Sequence, residues 1–171
     1  MNLRILSLLT LFAVLLPAAA MAQPGNGRFE IYGGIYRPEG LDDELTYGLR
    51  AGYKLSDHFG IDGTAGTFTV KEDPVEVDVI LVDLSLKAYL SSGDKAQFFL
   101  FAGPGWAFLD ASAFGIDVLS EDSLTAHAGV GLDLWLSDRL YLRPDVRGRW
   151  FEQADSNDLD WEASLALGFS F

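Results

Sequence analysis

The chain has 171 residues, no Cys, 18 Gly, 12 Phe, 6 Tyr and 4 Trp, with 12 Lys and Arg against 25 Asp and Glu for a formal charge of −13. Such an acidic balance excludes nucleic acid as a partner, and the lack of Cys excludes disulfides and thiolate metal sites. Abundant glycine and aromatic side chains with few helix signals favour β structure in one domain.

Residues 1–22 have the layout of an export signal. Arg4 lies near the start, "ILSLLTLFAVLLPAAA" is an apolar run, and Ala20, Met21 and Ala22 give a small-x-small cleavage site. An uncleaved membrane anchor is the other reading, but the run is short for a bilayer span and polar "QPGNG" follows at once. The expected mature domain is 23–171. Without Arg4 it has 11 basic and 25 acidic residues, a formal charge of −14.

From there the sequence alternates with period two. In Leu45 to Leu55 the odd positions are apolar (Leu45, Tyr47, Leu49, Ala51, Tyr53, Leu55), and Thr46, Gly48, Arg50, Gly52 and Lys54 lie opposite. The pattern predicts eight strands: Arg28 to Arg37, Leu45 to Leu55, His58 to Val70, Val77 to Leu90, Ala96 to Leu109, Leu124 to Leu136, Arg139 to Phe151 and Leu159 to Phe171. Most exceed the roughly 9–11 residues that a tilted strand needs to cross a bilayer. The fourth changes phase near Val79 and Ile80, which predicts a bulge or a later start. Pro104 lacks an amide donor and predicts a kink or a missing ladder bond.

Connections alternate in length. "LSDH", "SSGDK" and "LSDR" are short turns, whereas "PEGLDDE", "KEDPVE", "DASAFGIDVLSED" and "EQADSND" are long. In an up-and-down meander this places every long link at one end. The two "LSD" turns sit in similar surroundings, too few to define a repeat.

Alternation alone fits a membrane barrel that is apolar outside or a soluble lipocalin-like barrel that is apolar inside. The polar face favours the first. It has Glu30, Asp62, Asp83, Asp133, Asp145 and Glu162 against Arg50, Lys54, Lys87, Arg143, Arg147 and Arg149, a balance suited to a closed lumen where buried charges need partners. Gly103, Gly105, Gly129 and Gly131 fall on the same face, where eight strands leave little room. On the apolar face, Phe29, Tyr53, Phe59, Phe98 and Phe171 lie near the short turns. Tyr47, Trp106, Phe108, Trp150 and Trp161 lie near the long links, as two girdles.

The closing "LALGFSF", the "FLFAGPGWAF" segment, the "LTYGLRAGYKLSDHFGIDG" hairpin and "LYLRPDVRGRW" resemble the small outer-membrane β-barrel family of Gram-negative bacteria, which includes the OmpA-type transmembrane domain and OmpX-like proteins. The resemblance covers nearly all of the mature chain. It implies an all-β, eight-stranded antiparallel transmembrane barrel in the cell outer membrane, surrounded by lipid and lipopolysaccharide. It also implies that Phe171, Phe169 and Leu167 form the signal read by the barrel-assembly machinery. Unlike OmpA itself, the sequence ends at Phe171, so no peptidoglycan-binding domain is expected.

The expected role is non-enzymatic, in envelope integrity or surface interaction, with no cofactor and with Arg50, Lys87, Asp133, Asp145 and Arg147 as structural members of a lumen network. Lipid A deacylases and palmitoyltransferases are also eight-stranded barrels, but the deacylases carry His-x-Ser and here Ala128 and Gly129 follow His127. An acid–base group of His127 with Asp133 or Ser164 is the enzymatic alternative. Arg143, Asp145, Arg147 and Arg149 can be read as an anion site or as braces paired with Asp62, Asp83, Asp133 or Glu162; the second is preferred. Sixteen of the 25 acids lie at the long-link end, opposed nearby by Lys71. They suit shared divalent cations, a basic partner, or simple solvation, and no link has EF-hand spacing.

Overall fold

The structure is a computed structural model and describes residues 26–38, 42–72, 75–90, 95–113, 116–152 and 159–171. The proposed export signal and much of two long links lie outside these residues. Eight strands follow one another: β1 Gly27–Arg37, β2 Glu44–Lys54, β3 Phe59–Glu72, β4 Val75–Tyr89, β5 Ala96–Ala113, β6 Ile116–Trp135, β7 Leu140–Phe151 and β8 Asp160–Ser170. Each pairs antiparallel with its neighbour, and β1 pairs with β8 to close a barrel. At the seam the Gly27 amide donates to the Phe171 carbonyl (3.1 Å), and the Phe171 amide donates to the Gly27 carbonyl (2.9 Å).

The orientation is apolar outward. Leu45 is 76% exposed and Ile31 53%, whereas Arg143 and Asp133 are fully buried. A lipocalin-like barrel has the reverse arrangement, so the soluble alternative fails on this observation. Outward aromatics stand near both ends: Phe59, Phe98 and Phe171 by the short turns, and Tyr47, Trp106, Trp150 and Trp161 toward the other end. Trp161 lies beside Gly148, and Trp150 beside Ala126.

The two "LSD" turns are built alike. Leu55 and Ser56 amides donate to the Phe59 carbonyl, and Leu136 and Ser137 amides donate to the Leu140 carbonyl. In each, the serine hydroxyl accepts the amide of the residue three further on (Phe59 to Ser56, Leu140 to Ser137, both 3.1 Å). The sequence likeness therefore reflects one turn geometry used twice.

Two long links are shorter than expected. Strand pairing continues to Glu72↔Val75 and, after a register shift between Ala111 and Ser112, to Ala113↔Ile116. Alternation fades there because strands above the bilayer need no apolar face, while Val75, Val77, Ile116 and Val118 still favour extended backbone. The rim is uneven as a result, with β3 to β6 rising past their neighbours.

The expected irregularity at Val79 and Ile80 is absent: Thr67↔Ile80 and Phe68↔Val79 are in register. Val79 and Leu81 continue the inward phase and are buried with Tyr36, Phe68 and Ala107. Tyr36 stacks on Phe68 with centroids 4.2 Å apart. What changes is the chemistry of the lumen, ionic lower down and apolar at the tall end.

The ladder does break beside Pro104. The β4–β5 pairing steps from Asp83↔Gly105 to Leu86↔Ala102 without changing register. Pro144 produces the same gap between Gly131↔Asp145 and Leu134↔Leu142.

Inward glycines make room for inward rings. A Cβ at Gly131 would fall in the Phe99 ring, and one at Gly129 in the Phe101 ring. Gly131→Val is therefore expected to lower unfolding stability by about 1–3 kcal/mol through overpacking. Urea titration of the refolded barrel measures this, and an unshifted midpoint refutes the packing argument.

Candidate functional site

Strand phase aims the ionic side chains at one another across the lumen. Six acids (Glu30, Asp62, Asp83, Asp133, Asp145, Glu162) and six bases (Arg28, Arg50, Lys87, Arg143, Arg147, Arg149) are buried among the described residues. The sequence reading had Lys54 where Arg28 belongs. Lys54 is 21% exposed at the short-turn mouth, 3.6 Å from Asp57. Arg28 shares the inward phase of Glu30, a usable signal obscured by its place at the strand boundary.

From the short-turn end, Arg28 Nη1 lies 2.5 Å from Asp133 Oδ2. Its guanidinium also stands over the rings of Tyr89, Trp135 and Tyr141 at 5.3–5.4 Å. Arg143 forks onto Asp133 through Nε (2.6 Å) and Nη2 (3.1 Å). Its Nη1 donates to Glu30 and lies 3.4 Å from Asp62. Tyr141 donates to Glu30 at 2.8 Å. Lys87 pairs with Asp62 and stands 4.6 Å above the Phe99 ring.

Higher up, Arg50 Nη1 meets Asp145 at 2.6 Å and Nη2 donates to Ser164 at 2.9 Å. Arg147 lies between three carboxylates: Asp83 (3.1 Å), Asp145 (3.4 Å) and Glu162 (3.6 Å). Arg149 binds Asp83 with both terminal nitrogens at 2.7 Å. Since Arg50 is also 3.8 Å from Glu30, charges of alternating sign run up the ionic part of the lumen: Arg28, Asp133, Arg143, Glu30, Arg50, Asp145, Arg147, Asp83, Arg149.

The five residues singled out for the lumen are all buried there: Arg50, Asp133, Asp145 and Arg147 in this column, and Lys87 beside it on Asp62. Each buried charge has an opposite partner, which low-dielectric surroundings require. The void beside Ser85, Lys87 and Arg147 measures about 10 Å³, room for about one water. Solute passage would require breaking the pairs.

His127 has other neighbours than the sequence suggested. Asp133 is held by Arg28 and Arg143, and Ser164 by Arg50 and Asp145. Instead, Ser85 Oγ and His127 Nε2 are 2.8 Å apart, and His127 Nδ1 is 3.6 Å from Asp83. The order Ser–His–Asp is that of an acyl-transfer triad. The adjoining void is too small for an acyl substrate, and both Asp83 oxygens are held by Arg149. Among the described residues no group of three or more His, Asp or Glu side chains is arranged to hold a metal.

On the outer wall of β8, Leu167, Phe169 and Phe171 face away from the lumen. The Phe169 and Phe171 rings stack at 6.5 Å, and a Cβ on Gly27 would meet the Phe171 ring. At the tall rim Asp42, Asp43, Asp78, Asp122 and Glu152 are exposed. Arg37 is exposed there too, and binds Asp43 through two bonds of 2.5 and 2.7 Å. Those bonds hold the Asp43 carboxyl below the usual range.

A closed barrel with a lipophilic wall and a sealed ionic interior is an integral membrane β-barrel. The family model for the outer membrane protein beta-barrel domain matches residues 8–171, and the chain belongs to that family. Its place is the cell outer membrane. Among solved structures, the N-terminal barrel domain of Pseudomonas aeruginosa OprF is 20% identical, covers 86% of this chain and 99% of its own, and has a TM-score of 0.65. Neisserial surface protein A is 13% identical, with 85% and 96% covered and a TM-score of 0.71. Ail of Yersinia pestis is 13% identical, with 87% and 100% covered and a TM-score of 0.62, and is also known with the heparin analogue sucrose octasulfate. At these identities the likeness is one of fold. No curated protein matches the chain by sequence.

Proposed function

We propose that this is a non-enzymatic surface protein, a sealed barrel whose lumen network is structural and whose tall rim engages a basic partner. Its termini lie on the periplasmic side. One observation carries the reading: β3 to β6 continue upward after their neighbours stop. The β2–β3 ladder ends at Tyr47↔Thr67 and the β6–β7 ladder at Thr125↔Phe151. Among the described residues no strand pairs with the outer edge of β3 from Phe68 to Glu72, or of β6 from Ile116 to Ser120. Such edges accept an added strand, and an acidic rim selects a basic one. A polysulfated ligand of the kind found with Ail is disfavoured by the same charge. Rim carboxylates also suit divalent cations shared with lipopolysaccharide phosphates, which would support envelope integrity.

The test is a peptide of alternating Lys and Val offered to the protein in nanodiscs. Binding is expected to weaken with salt. It is also expected to fall severalfold in Ser120→Pro, whose amide shares the outer side with the Leu124 carbonyl that accepts Glu152 N–H. Heat-modifiable gel migration reports that the variant barrel is intact. No binding, or binding indifferent to the proline, refutes the edge reading.

A lipid A-modifying enzyme is the alternative, favoured by the Ser85–His127 contact and opposed by the small void. A lipid A mass change in cells that depends on both the protein and Ser85 would replace the present reading.

A further inference from the structure

The lipid-facing wall carries a furrow. Ala102, Ala128 and Gly148 lie side by side on β5, β6 and β7, in register with one another. Toward the short turns the next outward row is Leu100, Val130 and Val146, all exposed. On the tall side stands Trp150, Trp161 closes the row on β8 beside Gly148, and the Leu159 side chain leans over Gly148. The small residues thus form a floor with the larger row below it, Trp150, Trp161 and Leu159 around its β7–β8 end, and Pro104 and Ala126 as the next outward residues above it on β5 and β6. The space above the floor is about 600 Å³. Val146 and Trp150 are about 13 Å apart along β7 at roughly 3.3 Å per residue.

We infer that this furrow seats one acyl chain of lipid A from the outer leaflet. The inference rests on the membrane-facing wall and on the periplasmic termini of the proposed function, and does not need the rim to bind a partner. Among the described residues no charged side chain lines the furrow, so what it recognises is hydrocarbon. Left empty within the bilayer it would forfeit dispersion contacts along its whole floor. A second barrel fits it poorly, because its wall is convex and touches a neighbouring convex wall along a line, leaving a furrow across the strands unfilled. The furrow lies in the tall half of β7 and β8, with the Trp150 indole on its tall side and the Trp161 indole at its β8 end. Indoles favour the boundary between headgroup and hydrocarbon. A chain lying there descends from the leaflet at the tall end, which in the outer membrane is the lipopolysaccharide leaflet.

The experiment is native mass spectrometry of the full-length protein extracted in mild detergent from outer membranes. Wild type is expected to retain one lipid A-bearing molecule after collisional activation has stripped other lipid. Ala128→Phe and, separately, Ala102→Leu fill the floor from the lipid side and are expected to reduce that retained fraction severalfold. Leu49→Phe, on β2 of the opposite wall, is expected to match wild type. Heat-modifiable migration shows that each variant has folded. Retention indifferent to filling overturns the inference, as does phospholipid in place of lipid A. A dimer mass that the filling variants abolish overturns it in favour of a second copy.

Discussion

Arg143→Ala is expected to lower the unfolding free energy by about 3–5 kcal/mol, the cost of removing one partner from a buried ionic cluster. Arg143 is wholly buried and pairs with Glu30, Asp62 and Asp133, so its loss leaves those carboxylates short of counter-charge in a low-dielectric lumen. Lys87, Arg50 and Arg28 remain nearby, but none replaces the two-pronged contact with Asp133. Urea unfolding of the refolded barrel in vesicles measures the change, and an unshifted midpoint would dismiss the column as a stabilising device. The double variant with Asp133→Ala is expected to cost less than the sum of the singles by about 0.5–3 kcal/mol, because neither group is then stranded beside the other. Arg147→Ala should lower the unfolding temperature by less than Arg143→Ala. Its contacts are 3.1–3.6 Å, and Asp83 and Asp145 keep Arg149 and Arg50.

Deleting Phe171 is expected to act mainly in cells, cutting the amount of folded barrel in the outer membrane severalfold while leaving the purified chain able to refold in detergent. In the folded state Phe171 contributes two backbone hydrogen bonds at the β1–β8 seam, worth about 0.5–1.5 kcal/mol each. If the residue serves only the seam, the two settings will show matching losses. If Phe171, Phe169 and Leu167 are read by the assembly machinery, the cellular loss will greatly exceed the loss of stability. Equal amounts in the outer membrane with and without Phe171 would remove the assembly role.

The strand arrangement was legible because alternation is local. Side chains of Leu45 and Arg50 leave opposite faces of β2 whatever their partners are, so eight alternating segments and short turns at one end define a closed meander before any contact is known. The prolines were legible for the same reason, since a missing amide is a property of the residue, and the ladder gap beside Pro104 follows from it. Inward charge was legible as a set, with one exchange between Arg28 and Lys54 at a strand boundary.

Pairing within that set was decided by tertiary structure. Arg28 meets Asp133 and Arg50 meets Asp145 across the lumen, through side chains whose strands are far apart in sequence, and nothing local chooses among six acids and six bases. His127 found Ser85 and Asp83 for that reason. The tall rim also needed the folded chain, because above the bilayer neither face must be apolar and the periodic signal fades while backbone pairing continues. The furrow is likewise tertiary: Ala102, Ala128 and Gly148 are unremarkable in their own strands and become a floor only when register sets them side by side.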